Sequence, residues 1–167
     1  MFVALRDLRI QHCSSCRKCL DTGRCVIEDD MHRLASEMLR SDVIVIASPV
    51  HFDNVSSLAK VFMDRTWWLR GRLKLKVGLA IVVGRGYGLD SAISAIHNFM
   101  LKHGMILCHR GVRCRAFERG EALRDSQALR DAEDAVRSVI TVALAVKKGL
   151  SSRATVIPPP RTPSSPP

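Results

Sequence analysis

Residues 43–52 read Val-Ile-Val-Ile-Ala-Ser-Pro-Val-His-Phe. The first five form an apolar, mostly β-branched run with no polar alternation. Such a run marks a parallel strand buried on both faces. Asp42 bounds it on one side, and the pattern predicts a loop from Ser48 to Asn54 on the other. Upstream, Met31, Leu34, Ala35, Met38 and Leu39 fall at helical spacing. Asp29 and Asp30 stand just ahead of them, where a carboxylate accepts from free N–H groups and favours the helix dipole. Before that, Phe2–Ile10 is apolar and then alternating, which predicts a strand.

Downstream, Val55 to Trp68 reads as a helix with Val55, Leu58, Ala59, Phe62 and Met63 on one stripe and Asn54 or Ser56 as its cap. Val77–Val83 is a second buried strand, and Gly84-Arg85-Gly86-Tyr87-Gly88 is a glycine-rich loop. Leu89 to His103 is a helix, and Met105–Leu107 begins a third strand. Asp125 to Lys148 is a long amphipathic helix with Gly149 as its stop. Strands alternating with helices give the α/β class, a parallel sheet with helices on both faces.

The 167 residues suit one domain, read as residues 1–150 with a cysteine-loop insertion at 12–28. With 47% apolar and 25% charged residues, wholesale disorder and fibrous repeats are excluded. Pro158-Pro159-Pro160 and the run from Pro163 to Pro167 predict a disordered, proline-rich tail over 151–167. No apolar run approaches the roughly 20 residues that span a bilayer. Arg6, Asp7 and Arg9 interrupt the first ten residues, which have no small-residue cleavage site, so no signal peptide is expected. A cytoplasmic protein with reduced thiols and no membrane contact follows as the expectation. The net charge is +10, but its 26 Lys and Arg are spread along the chain without a dense block, which argues against a nucleic-acid interface.

Cys13, Cys16, Cys19 and Cys25 spell C-x2-C-x2-C-x5-C. Successive x2 spacings let the backbone curl around one compact object with its N–H groups turned toward the sulfurs. That suits a cuboidal [4Fe–4S] cluster. Zinc usually takes two separated knuckles, and an empty thiol loop is the third alternative. Arg17, Lys18 and Arg24 lie inside the loop as offsetting or merely solvated cations. Cys108 and Cys114 read as buried or incidental thiols.

In an open parallel sheet, ligands bind beyond the carboxyl ends of the strands. The cysteine loop, Ser48–Asn54 and Gly84–Gly88 would all leave such ends, so a metal in the first would share an edge with a planar ligand held by the other two. The glycines permit close backbone approach and Tyr87 can stack. Of Trp67 and Trp68, one is expected in the core and the other as an interface residue. Asp64-Arg65 reads as a brace for the helix or a subunit contact.

The string Cys13-Ser14-Ser15-Cys16-Arg17-Lys18-Cys19, then Gly23 to Met31, Ser41 to Phe52, Asn54-Val55-Ser56, Lys60 and Phe62-Met63-Asp64-Arg65, resembles the iron–sulfur branch of the NADPH-dependent FMN reductase-like flavodoxins. The resemblance covers roughly residues 2–110. It implies a flavodoxin-like, three-layer α/β/α fold and two cofactors, FMN and a [4Fe–4S] cluster. It places the cluster on Cys13, Cys16, Cys19 and Cys25. It places FMN against Ser48, Pro49, Val50, His51, Phe52, Asn54, Val55, Gly84, Gly86, Tyr87 and Gly88, with no side-chain nucleophile. NAD(P)H, a redox partner such as a ferredoxin, and a homodimer or homotetramer are implied too. The family's first, central strand and its phosphate loop have no counterpart, since the chain opens at what reads as the second strand. The expectation is that Met1 is an internal methionine with the start upstream; a shortened, inactive relative is the competing one. Where His51 stands the family usually has Tyr. Two other functions stay open beside the electron-transfer flavoprotein: an NAD(P)H:flavin or quinone reductase without a cluster, and a zinc-stabilised basic nucleic-acid-binding module.

Overall fold

The structure is a computed structural model that describes residues 1–153. Its centre is two long parallel strands, β1 (Val43–His51) and β3 (Val77–Gly84), paired from Val43↔Val77 to Pro49↔Val83. β1 turns back through a tight hairpin into β2 (Asn54–Val55), which pairs antiparallel with its end. The other edge of β3 carries β4 (Ile106–Leu107) beside Val77–Gly78 and β5 (Val112–Arg115) beside Ile81–Gly84, both parallel. β4 and β5 are thus two pieces of one strand interrupted at 108–111. The interruption needs Gly111, whose φ is +87° and where a Cβ would lie 2.9 Å from Ile93 Cδ1.

Helices cover both faces. α2 (Met31–Arg40), α3 (Ser57–Asp64) and α4 (Leu89–Lys102) pack one core against β1 and β3 through Met31, Met38, Phe62, Ile96 and Met100. α5 (Ser126–Arg153) covers the other face through Ala128, Ala135 and Val139 against Leu79 and Val112. The expected three-layer α/β/α order holds. Lys76 joins the layers by donating to Leu39 O (2.8 Å) and Ser41 O (2.6 Å), two carbonyls at the end of α2. Among the described residues, no strand pairs with the edge of β1 opposite β3 along Val43–Pro49. Val45, in the middle of that strand, is 49% exposed, so β1 is buried on one face and not on the two that its apolar run predicts. None of the described helices is long and apolar enough to cross a membrane.

Four other expectations need correction. Phe2–Ile10 is not a strand: it holds a 3-10 turn at Leu5–Asp7, and its apolar residues Leu5 and Ile10 pack on the core edge. Its backbone donors find carboxylates instead of a ladder, with Arg9 N–H on Asp30 Oδ2 (2.8 Å) and Gln11 N–H on Asp29 Oδ2 (2.9 Å). Ser48–His51 is strand, not loop, because β1 is an edge strand and an edge tolerates Pro49. α3 starts at Ser57, with Ser56 accepting from Ala59 N–H, and ends at Asp64; a 3-10 turn at Trp67–Leu69 replaces its predicted last turn. α5 runs through Gly149 to Arg153, so the tail does not begin at Ser151, and the rest of the predicted tail lies outside the described residues.

Gly78 is the second residue of β3, and a Cβ there would sit 2.5 Å from Met100 Sδ and 3.1 Å from Leu107 Cδ2. Overpacking of this kind costs about 1–3 kcal/mol. Gly78→Val is therefore expected to lower the urea midpoint at an unchanged m-value, read by circular dichroism.

Candidate cofactor sites

The cysteine loop leaves the body of the protein after Gln11 and returns at Ile27. It holds the short helix α1 (Lys18–Thr22), which packs on the Trp67–Leu69 turn. Ser15 (φ +55°) and Arg17 (φ +58°) sit in the left-handed region, a backbone that turns successive N–H groups to one side. Ser15 N–H donates to Cys13 Sγ at 3.4 Å. The N–H of Lys18, then the Ser14 hydroxyl, hold the Cys16 thiol below its ordinary value. Burial, then the charge of Cys25, pushes the Cys19 thiol up. The four sulfurs lie close enough to feel one another, yet among the described residues no three Cys, His, Asp or Glu side chains converge to hold one ion. A soft donor set with N–H groups aimed at sulfur fits a thiolate-bound cluster.

The loop is fastened by a residue that the sequence reading undervalued. Arg65 and Asp29 form an ion pair whose side chains are 0% and 1% exposed. Arg65 Nη1 donates to Asp29 Oδ2 (2.6 Å) and to Gln11 O (2.6 Å). Its Nη2 donates to Asp29 Oδ1 (3.1 Å) and to Ile27 O (3.3 Å). The carboxylate also accepts from Gln11 N–H and Met31 N–H. Burial opposes the Asp29 charge, but the bonds from Arg65, Gln11 and Met31 outweigh it and hold the carboxyl below its ordinary range. Asp64, the neighbour in sequence, pairs with Lys60 on the surface. The sequence did hold a signal: Arg65 follows Phe62 by three positions, so an arginine continues the buried stripe. Of the tryptophans, Trp68 is the one that packs against the core, beside His32, and Trp67 is exposed beneath Arg70.

The second set of residues lies at the other end of α3. The hairpin turns at Phe52 (φ +47°) and Asp53 (φ +57°). Ser48 is buried, donates to Pro49 O (2.8 Å) and accepts from Ser56 N–H (2.9 Å). Asn54 Oδ1 accepts from Val55 N–H, and Val55 is buried. Pro49, His51, Phe52 and Asn54 are exposed, and Val50 is half-buried. Gly84–Gly88 lies directly against this hairpin. A Cβ at Gly84 would sit 3.0 Å from Val50 Cβ, and one at Gly88 (φ +69°) would collide with Asp53. Gly86 and Tyr87 face solvent. The structure therefore brings Ser48–Val55 and Gly84–Gly88 together into one rim.

It does not seat the cysteine loop on that rim. With Phe2–Ile10 not a strand, the argument for a shared strand edge falls away. The hairpin precedes α3 and the Trp67–Leu69 turn follows it. Two turns of helix, about 12 Å, therefore separate the two sites along α3. Between α3 and α4 runs a groove of about 390 Å³ lined by Lys60, Trp67, Phe99, Lys102 and His103, and of the predicted residues only Asn54 reaches it.

The family model described as NADPH-dependent FMN reductase matches residues 1–114. An iron-sulfur flavoprotein of Methanocaldococcus jannaschii is 40% identical over 108 residues, 62% of this chain and 56% of that one. An iron-sulfur flavoprotein of Methanosarcina thermophila is 37% identical over 108 residues with the same shares. The chain thus spans about half the length of these curated relatives. Among solved structures, RosB with 8-demethyl-8-formylriboflavin-5'-phosphate bound matches 99% of this chain and 77% of its own, with a TM-score of 0.68 at 14% identity. A WrbA-like flavodoxin from Agrobacterium tumefaciens matches 68% of this chain and 71% of its own, with a TM-score of 0.51 at 15% identity. These two likenesses establish a flavodoxin-like fold.

Removing one partner of a buried ion pair costs about 3–5 kcal/mol. Arg65→Met is expected to lose that much by urea unfolding. Because the Asp29 carboxyl is held below its ordinary 3.8, the stability it adds is complete above that pH and is lost as the pH falls through the lower folded value. Asp29→Asn is expected to flatten the acid limb of the stability curve, which unfolding measured between pH 5 and pH 2 reads directly.

Proposed function

The chain belongs to the NADPH-dependent FMN reductase family, and we propose that it serves an FMN-dependent oxidoreductase that passes electrons between FMN and a [4Fe–4S] cluster. Cys13, Cys16, Cys19 and Cys25 would be the cluster ligands. Ser48, Pro49, Val50, His51, Phe52, Asn54 and Val55, with Gly84, Gly86, Tyr87 and Gly88, would flank the flavin. The observation that carries the cluster reading is the backbone of residues 13–18. Two consecutive-but-one left-handed residues turn N–H groups onto thiols, which offsets the charge of a thiolate cage. That two curated relatives, 40% and 37% identical over 108 residues, are named iron-sulfur flavoproteins supports it.

When bound, the flavin supplies one- and two-electron chemistry and the cluster one-electron storage. The chain's own residues supply position. Ser48 and Ser56 lock the hairpin, and the missing side chains at Gly84 and Gly88 let the glycine loop close on it. NAD(P)H as donor, a ferredoxin-like partner and a homodimer or homotetramer belong to the same proposal. A second reading is an NAD(P)H:quinone reductase with an empty cysteine loop. The observation favouring it is that the thiols do not converge. A relative from Chromohalobacter salexigens, 32% identical over 89 residues, carries the name NAD(P)H dehydrogenase (quinone).

The double variant Cys16→Ser/Cys19→Ser separates the readings. Protein purified anaerobically is expected to be yellow-brown with iron and FMN, and the variant to keep the flavin spectrum while losing its iron. Stoichiometric zinc without iron in the unmodified protein would overturn the cluster. Unchanged reductase turnover in the variant would favour the quinone reductase.

A further inference from the structure

We propose that Arg65 is a positioning residue for the cluster: it ties the neck of the cysteine loop shut and keeps its Nε–H for the sulfur of Cys25, which favours the reduced cluster. This rests on the cluster reading of Cys13–Cys25. The guanidinium has five N–H groups. The two terminal nitrogens bond Gln11 O and Ile27 O, the carbonyls on either side of the loop, and both Asp29 oxygens. Nε–H is buried and makes no hydrogen bond. A buried charged donor left unpaired is costly, so its presence points to an acceptor. Burial opposes the Arg65 charge, but the bond to Asp29 and then the neighbouring Cys25 sulfur outweigh it and hold the guanidinium charged, so Cys25 is the sulfur beside it.

The other cations of the loop, Arg17, Lys18 and Arg24, are exposed, where water and salt screen them. Arg65 is fully buried, and a charge acts more strongly in a low dielectric. A cluster that takes up an electron gains negative charge, so a buried cation and an N–H···S bond raise its potential. Asp29 moderates the effect, since its carboxylate is the only buried counter-charge on the guanidinium in the described residues. The two residues therefore act on the potential with opposite signs. Packing alone would not produce that.

The full chain is prepared anaerobically as wild type, Arg65→Lys and Asp29→Asn, and the cluster is titrated by electron paramagnetic resonance. Lysine keeps the charge but not the fork or Nε–H. Arg65→Lys is expected to shift the one-electron equilibrium at least tenfold toward the oxidised cluster, which is about 59 mV. Asp29→Asn is expected to shift it as far toward the reduced one. Potentials that move the same way, or not at all, overturn the tuning role. The tie is read separately in iron-free protein by limited proteolysis. Cleavage within residues 12–28 is expected to speed at least tenfold in Arg65→Lys while cleavage elsewhere stays unchanged, and equal rates overturn it. A wild-type protein that takes up no iron refutes the cluster itself, and the proteolysis result still stands or falls independently.

Discussion

The ion pair between Arg65 and Asp29 fastens a part of the chain that has almost nothing else to hold it. None of the first thirty residues is fully buried, and none of them pairs in the sheet. A segment with so little apolar burial cannot offset its own ordering entropy. Polar bonds to a rigid body must do so instead. Arg65 sits on that body, just past the end of α3, and reaches both sides of the loop's neck at once. Arginine suits the task because one planar fork satisfies a carboxylate and two carbonyls together. The same geometry leaves the Nε–H of this arginine buried and without an acceptor, with the Cys25 sulfur nearby.

α3 then sets the spacing of the whole arrangement. At one end Ser56 caps it and ties back to Ser48, fixing the hairpin beside the glycine loop. At the other end the chain passes into Arg65, Thr66 and the Trp67–Leu69 turn on which α1 rests. Both ends are anchored by buried side chains, Ser56 and Ala59 at the first and Met63 and Leu69 at the second. The two candidate cofactor sites are therefore positioned by one short rigid element, not by independent loops.

The parts of this arrangement that pattern could reveal are those where burial is periodic. Val77–Val83 is an apolar run covered on both faces, and Leu89–Lys102 keeps its stripe without interruption, whereas Val43–Ala47 is a strand as expected but is buried on one face only. The misreadings have physical causes. Phe2–Ile10 has strand-like alternation, but alternation does not supply a neighbouring strand, and its donors bond carboxylates instead. Pro49 looked like a strand stop, yet the edge of the sheet has no ladder bond for it to remove. β5 is Val112-Arg113-Cys114-Arg115, whose period of two is clear but only four residues long, with both arginines turned outward. The cysteine spacing and the glycine loop were legible as patterns, and the structure brings the glycine loop against the hairpin. Arg65 was visible as an arginine on an apolar stripe, but its partner, thirty-six residues away, was not.

The hairpin shows how the rim of Ser48–Val55 and Gly84–Gly88 is held in shape. Positive φ at both central residues is the pattern of a two-residue I′ turn, which normally calls for Asn-Gly. Here the residues are Phe52 and Asp53, and each left-handed residue with a side chain costs about 1–2 kcal/mol. Phe52 recovers none of that by its own burial, since it is wholly exposed. What offsets the strain lies on either side: the pairing of Val50 with Val55 and His51 with Asn54, and the Ser48–Ser56 bonds beneath. A wider turn would relieve Phe52 and Asp53, but it would move Asp53 away from Gly88 and Val50 away from Gly84. The strain is the consequence of keeping two backbones in contact, the hairpin and the glycine loop.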